Sequence, residues 1–426
     1  MNVQARSAPR TLAPLRPLRV LFLNDTARNG GPGRSLYTIL KHLDPSEVYR
    51  AVVVPRPGVV SDLLADVSET VMFLPDFVEN PIEPLRRAMV RRDFDAPAPL
   101  KGLRAVANVL KAGRSLTTLS RWVRGGGFDL IYCNGTSADF AGATVAAMTG
   151  VPALWHVRYT HVPPAVEPVH RRLAASDAVR RIVCVSGAAA KLFDHCRAKV
   201  RVVHNAVDLE EFGPDVPRGV LRRELGLGER DVVLGAHGRV LARKGFDVML
   251  RAARRALDEM SEPVRAHTRF VIVGDTPEDI APNHLEECKA LARSLGLDAY
   301  VTFLGFCADV RPYVRDFDVE IVPSVYEDPL PRAVIEAMAL GVPVIASEVG
   351  GVAEMLSEGE GALVPPGDEV ALAQAMVRYA IDPQLRREQG ERARARIERD
   401  FDARAHARRI RDEIASAAFG AAGERA

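Results

Sequence analysis

Residues 319–351 read VEIVPSVYEDPLPRAVIEAMALGVPVIASEVGG. VEIVPS (319–324) and VPVIAS (342–347) are short apolar runs with strand character, and RAVIEAMALG (332–341) between them is a helix ending at Gly341. Strand, helix and strand in this order form the unit of a parallel sheet. Asp328 lies in the turn, Glu336 inside the helix, and Gly350 and Gly351 where the next helix starts. Open α/β sheets bind ligands at that carboxyl edge. Carboxylates there accept from sugar hydroxyls, and glycine-exposed N–H groups face phosphate oxygens. The combination suits a ligand carrying both hydroxyls and a diphosphate, as a nucleotide sugar does.

The same alternation runs outward through the chain. Strand candidates in the first half are 18–24, 50–55, 70–75, 129–134, 151–157, 181–186 and 200–205. After a polar stretch at about 207–229 it restarts with 231–238, 269–275, 301–305, 319–324, 342–347 and 361–366. Near-continuous apolar runs of this length fit strands buried on both faces, with helices between them. The predicted fold class is α/β: two Rossmann-like parallel-sheet domains facing a central cleft. The expected division is a disordered lead-in over 1–17, a first domain over 18–207, a second over 208–400, and a C-terminal helix over 401–426 packing back on the first domain. Residues 76–127 contain no strand candidate and are expected to form a basic helical insertion.

Composition narrows the function. The 426 residues exceed one comfortable core. Charged residues make up 26% and the net charge is only +2, so nucleic acid is not an expected partner. Cys133, Cys184, Cys196, Cys288 and Cys307 form no C-x-x-C pair and read as reduced thiols, without metal spacing. The stretch Leu130–Trp155 is interrupted by Asp139 and by TGVP, which favours helix-turn-strand over a membrane span. The expected location is cytoplasmic, with the inner face of the membrane left open by the basic segment. From Arg86 to Arg124, Lys and Arg far outnumber Asp93 and Asp95. That segment reads equally as a solvated helical cover or as a surface for anionic lipid or an anionic acceptor.

Two further stretches carry chemistry. Gly30, Gly31 and Gly33 stand between the first strand and a helix, where the backbone approaches a ligand closely or simply makes a tight turn. Their spacing is not G-x-G-x-x-G, and no acidic residue ends the second strand, which argues against a dehydrogenase. In GAHGRVLARKGF (235–246), Arg239 and Lys244 are two cations at a sheet edge, able to neutralise a departing diphosphate or to sit solvated at the surface.

Together these motifs resemble glycosyltransferase family 4, the retaining nucleotide-sugar transferases of GT-B fold. The 326–351 window is similar to the family signature of Glu-x7-Glu, an Ala-Met-Ala helix, Gly-x-Pro-Val and a double glycine. NGGPGRSLYTIL (29–40) resembles its N-terminal glycine loop, CVSGAAAKLF and VVHNAVDLEEF its first-domain exit, and GRVLARKGFDVML its phosphate site. Two positions depart from the pattern: Asp328, or Glu327 beside it, stands for the first Glu, and Ala206 replaces a Gly.

The resemblance implies roles. Arg239 and Lys244, with the helix starts at Gly31 and Gly351, would meet the charge on the leaving diphosphate. Glu336 would accept from the ribose hydroxyls, and Asp328 or Glu327 would hold the sugar. Gly30, Gly33, Leu330 and Gly350 would complete the donor site. His156 would stand near the reacting carbon, unless it is a satisfied histidine at a strand end. Arg158 and His161 would contact the acceptor, unless they are ordinary loop residues. No metal and no cofactor beyond the nucleotide sugar are expected, and the acceptor is a glycan or a lipid-linked molecule. The implied reaction is same-face hexosyl transfer with retention, in cell-surface polysaccharide or glycoconjugate synthesis. The rivals are a nucleotide-sugar epimerase or hydrolase on the same fold, and a catalytically silent binding partner.

Overall fold

The computed structural model describes residues 16–26, 30–75, 98–277 and 283–420, with 98–111 described by backbone alone. Residues 1–15 of the expected lead-in and 76–97 of the basic insertion lie outside the described residues, while Arg16 at the end of the lead-in pairs with Asp129; the rest of that insertion forms the helix Ala98–Gly126.

Among the described residues, thirteen strands form two parallel sheets. The first comprises β1 (Leu18–Asn24), β2 (Val48–Val54), β3 (Thr70–Phe73), β4 (Leu130–Asn134), β5 (Ala153–Val157), β6 (Val179–Cys184) and β7 (Val200–Val202), in the order 3-2-1-4-5-6-7. The second comprises β8 (Val232–His237), β9 (Thr268–Val273), β10 (Val301–Gly305), β11 (Val319–Val322), β12 (Val344–Ser347) and β13 (Gly361–Val364), in the order 10-9-8-11-12-13. Both are doubly wound Rossmann sheets, reversing direction between β1 and β4 and between β8 and β11.

The apolar runs form parallel strands because each sheet is covered on both faces. Along β1, Leu21 and Leu23 enter one core while Val20 and Phe22 enter the other. Along β8, Leu234 and Ala236 pack on one side and Val233 on the opposite side. Period-two alternation with both faces apolar is what a buried parallel sheet demands.

The chain passes between the domains twice. Val207 donates its N–H to the Phe401 carbonyl at 3.0 Å, and the Ala403 N–H returns to the Val207 carbonyl at 3.1 Å. The helix Ala403–Phe419 then buries Ala407, Ile410, Ile414 and Ala417 in the same core as Val20 and Phe22. The polar stretch before β8 contains the short helix Val220–Glu224, whose Leu221 is buried and whose first N–H groups are held by Asp316. No described helix is long and apolar enough to cross a membrane.

Candidate active site

At the second sheet's reversal the segments after β8 and β11 diverge and a crevice opens at their carboxyl ends. It belongs to a cleft of about 1140 Å³ whose other wall comes from the first domain. The β8 exit brings Arg239 and then the turn Ala242–Lys244 to this cleft. Gly245 follows at φ 73°, and a Cβ there would stand 2.0 Å from the Pro323 carbonyl oxygen. Glycine therefore lets the β8 loop press on the β11 exit, where the Val325 N–H bonds the Arg243 carbonyl at 3.0 Å.

This contact aims Lys244. Its Nζ donates to Asp328 Oδ2 at 2.5 Å, and the same oxygen accepts from the Tyr326 hydroxyl at 2.9 Å. The Arg243 guanidinium lies 4.9 Å from the Tyr326 ring centroid, a cation–π contact. Burial and Asp328 push the Tyr326 phenol up, and the charges of Arg243 and Arg239 pull it back. Arg239, Arg243 and Lys244 all line this side of the cleft.

Glu336, one turn inside the helix Arg332–Ala339, is held from two sides. Arg332 Nε donates to Oε1 at 2.9 Å, and His237 Nε2 meets Oε2 at 3.1 Å. Behind His237 lies Glu320, with Oε1 at 2.9 Å from His237 Nδ1. Burial alone would lower His237, but the Glu320 and Glu336 carboxylates overcome it and hold the imidazolium up to about 10. Burial likewise opposes ionised Glu336, yet Arg332 and His237 bring it down to about 2. Burial leaves Glu320 raised despite the His237 charge.

A pH prediction follows from His237. Its folded value lies above the ordinary value of ~6.5. The stabilisation is complete below that ordinary value and is lost as pH rises towards about 10. Melting temperature is expected to fall between pH 7 and 10 more steeply in the wild type than in H237F/E320L. Parallel melting curves for the two proteins over that range would contradict the assignment.

The facing wall begins with the helix Gly31–His42, capped by extended Gly30, with no acidic residue in its first turn. Its N-terminus presents a positive dipole end to the cleft. Arg158, emerging from β5, donates Nε to Asn134 Oδ1 at 2.7 Å and is also bonded to Asn205 Oδ1. Burial pulls it down to about 10. Contacts joining the walls include Arg332 to Ser35 Oγ at 3.3 Å, Thr160 Oγ1 to the Glu327 carbonyl at 2.8 Å, and Asn205 Nδ2 to the Leu330 carbonyl at 3.5 Å. Among the described residues no group of three or more His, Cys, Asp or Glu is placed to hold a metal ion.

Residues 29–211 match the family model for Glycosyltransferase Family 4, and residues 231–382 that for Glycosyl transferases group 1. Between them the two matches cover every strand except β1 and both walls of the cleft. The chain belongs to glycosyltransferase family 4. Relatives within the family include a D-inositol 3-phosphate glycosyltransferase of Kribbella flavida, 35% identical over 46% of this chain and 46% of the relative. A Streptomyces scabiei protein of the same name is 30% identical over 65% of each chain. An Escherichia coli UDP-Gal:alpha-D-GlcNAc-diphosphoundecaprenol alpha-1,3-galactosyltransferase is 25% identical over 65% of this chain and 73% of the relative. The chain spans about half to two thirds of the length of the D-inositol 3-phosphate glycosyltransferases it matches. Among solved structures, Anabaena Alr3699/HepE in complex with UDP superposes with a TM-score of 0.75 at 23% identity, over 94% of this chain and all of that one. WaaG, a glycosyltransferase involved in lipopolysaccharide biosynthesis, gives 0.63 at 16%, over 93% and 99%. These likenesses establish the GT-B fold.

Against the positions this family implies, the cleft brings together Gly30, Gly31, Arg158, His161, Arg239, Lys244, Glu327, Asp328, Leu330 and Glu336. Of the two candidates for the first family Glu, Asp328 is buried beside Lys244, while the Glu327 side chain is exposed.

Four expected residues are corrected. His156 is not at the cleft surface: it is 0% exposed, bonded to the Tyr132 hydroxyl, and burial keeps it well below the ordinary histidine range. Gly33 sits on the inner side of its helix, where a Cβ would meet Val60 at 2.8 Å. Gly350 and Gly351 do not line the cleft; Cβ atoms there would stand 1.8 Å and 2.2 Å from the Asp328 and Pro329 carbonyl oxygens. The Gly351 N–H is spent on the Asp328 carbonyl at 3.1 Å, so this helix start braces the Asp328 turn instead of facing phosphate. Residues the motif reading passed over are His237, Glu320, Tyr326 and Arg332. A lone Glu inside the apolar run VEIV is the one available signal, since a central parallel strand has no solvent face for it.

Proposed function

We propose that this chain transfers a hexose-type sugar from a nucleoside-diphosphate sugar to an acceptor, with retention at the anomeric carbon. One observation carries the reading: Arg239, Lys244, Asp328 and Glu336 converge on one wall of a cleft that the Gly31 helix start and Arg158 close from the other side. The complexes of Anabaena Alr3699/HepE with UDP and with UDP-glucose support a donor of this class.

The diphosphate would lie against Arg239 and Lys244, drawing Lys244 from Asp328 and releasing that carboxylate to a sugar hydroxyl. As the glycosidic bond breaks, charge grows on the leaving phosphate, and each preorganised donor contributes ~3–4 kcal/mol. The acceptor would attack on the face the diphosphate leaves, assisted by the departing phosphate. In this reading protein cations carry the neutralisation, and the only small molecule besides the acceptor is the donor. Arg34 and Arg56 on the acceptor side suit an acceptor bearing phosphate. A glycan or lipid-linked molecule remains the proposed acceptor class, with the cytoplasmic face of a membrane as its setting.

Thermal-shift titration with UDP-, GDP- and ADP-sugars tests the donor. Donor consumed only when acceptor is present supports transfer, whereas turnover without acceptor would favour the hydrolase or epimerase reading. Binding with no turnover under either condition would favour the silent partner. Glu336→Ala is expected to weaken donor affinity by ~10-fold or more, through loss of a charged hydrogen-bond acceptor. Unchanged affinity in that variant would remove Glu336 from the donor site.

A further inference from the structure

Glu320 lies on β11, paired with β8 on one side and β12 on the other, and is 0% exposed. An aliphatic residue there would continue the apolar run around it. Instead Glu320 Oε1 accepts from the His237 backbone N–H at 3.1 Å and faces the ring Nδ1 at 2.9 Å. The other ring nitrogen reaches Glu336 Oε2 at 3.1 Å. A neutral imidazole donates from one nitrogen only, so a ring flanked by two carboxylates satisfies both as the imidazolium. Glu320 Oε2 has no hydrogen-bond partner. A pair kept for the fold alone could be exchanged for apolar residues without loss, and would not retain a bare buried oxygen.

We propose that Glu320 and His237 are positioning residues for Glu336, fixing the plane of its carboxylate so that each oxygen keeps a lone pair for the adjacent hydroxyls of the donor's ribose. The inference rests on the donor reading above. Arg332 on Oε1 and His237 on Oε2 act as a two-sided clamp, and Glu320 sets the ring that forms one jaw. A carboxylate gripped on both oxygens cannot rotate to meet a single hydroxyl, so the clamp selects a vicinal diol over a deoxy sugar.

The test is calorimetric titration of UDP, GDP and ADP, then of the 2′-deoxy form of the tightest binder, with inorganic pyrophosphate as the control. The wild type is expected to prefer the ribonucleotide by ~10-fold or more, because a site built around a hydroxyl rejects its absence. In H237F/E320L the preference should shrink to within ~2-fold, while pyrophosphate affinity holds because Arg239 and Lys244 are untouched. If that variant loses pyrophosphate binding through misfolding, H237Q, which donates to one carboxylate only, is read in its place with the same expected loss. A folded variant that keeps the full preference overturns the proposal. Glu336→Ala separates the two levels: if it abolishes the preference and H237F/E320L does not, only the positioning role is wrong. If Glu336→Ala leaves the preference intact, Glu336 does not hold the ribose, and the clamp falls with that reading. Absence of binding by any of the three diphosphates sinks the donor reading and this inference together.

Discussion

Lys244→Ala is expected to lower turnover by ~100-fold or more, about 2.7 kcal/mol of transition-state stabilisation. The ammonium is held by Gly245 and by the Val325–Arg243 backbone bond, so it needs little reorganisation when charge appears on the leaving group. The loss should fall on kcat at saturating donor, because the interaction strengthens as the bond breaks. Removing Lys244 strands the Asp328 carboxylate, which is 5% exposed and then retains only the Tyr326 hydroxyl. Breaking a buried pair costs ~3–5 kcal/mol, so the single variant should also melt earlier. K244A/D328N should recover most of that stability and none of the turnover. Near-normal kcat in either protein would remove Lys244 from phosphate chemistry.

Gly350→Ala is expected to destabilise the chain by roughly 3 kcal/mol and to weaken donor binding, although no part of Gly350 lines the cleft. Gly350 has φ 55°, and an added Cβ would lie 1.8 Å from the Asp328 carbonyl oxygen. The Asp328 turn must then move, taking with it the carboxylate that meets Lys244. Gly341 is the comparison: φ there is 73°, but its nearest neighbour would be 3.9 Å away. Gly341→Ala should cost only the backbone penalty of ~1–2 kcal/mol and leave donor affinity unchanged. Equal losses at the two glycines would show that the close approach at Gly350 carries no weight.

The sheets were legible because buried parallel strands need apolar residues on both faces, and every predicted run contains a strand. The margins differ where tertiary contacts intervene. The run 200–205 yields strand only to Val202, because the residues beyond it leave the sheet for the passage between domains. The cleft cations and carboxylates were legible through motif spacing that places them at sheet edges. Glycines were not separable in the same way. Gly33, Gly350 and Gly351 have the composition of ligand-facing turns, but the groups that approach them are Val60 and the 328–329 backbone. Sequence registers that something comes close and not what it is. His237 and Glu320 escaped because each is a single polar residue in an apolar run, and only the β8–β11 pairing shows that they meet.

The second passage between the domains has a mechanical consequence. Since the helix Ala403–Phe419 completes the first lobe's interior, no single cut yields two self-sufficient pieces; a fragment ending near residue 400 would bare Val20, Phe22 and their neighbours. The two chain passages, laced through Val207 and Asp402, also define an axis. Sliding or twisting of one lobe past the other would break the two Val207 backbone bonds and the Glu354 contacts to the Gly187 and Ala188 N–H groups, so bending about that line is the expected freedom. In the proposed reaction, substrate entry and product exit would then share a jaw-like swing that must part the Arg332–Ser35 and Thr160–Glu327 contacts between the walls.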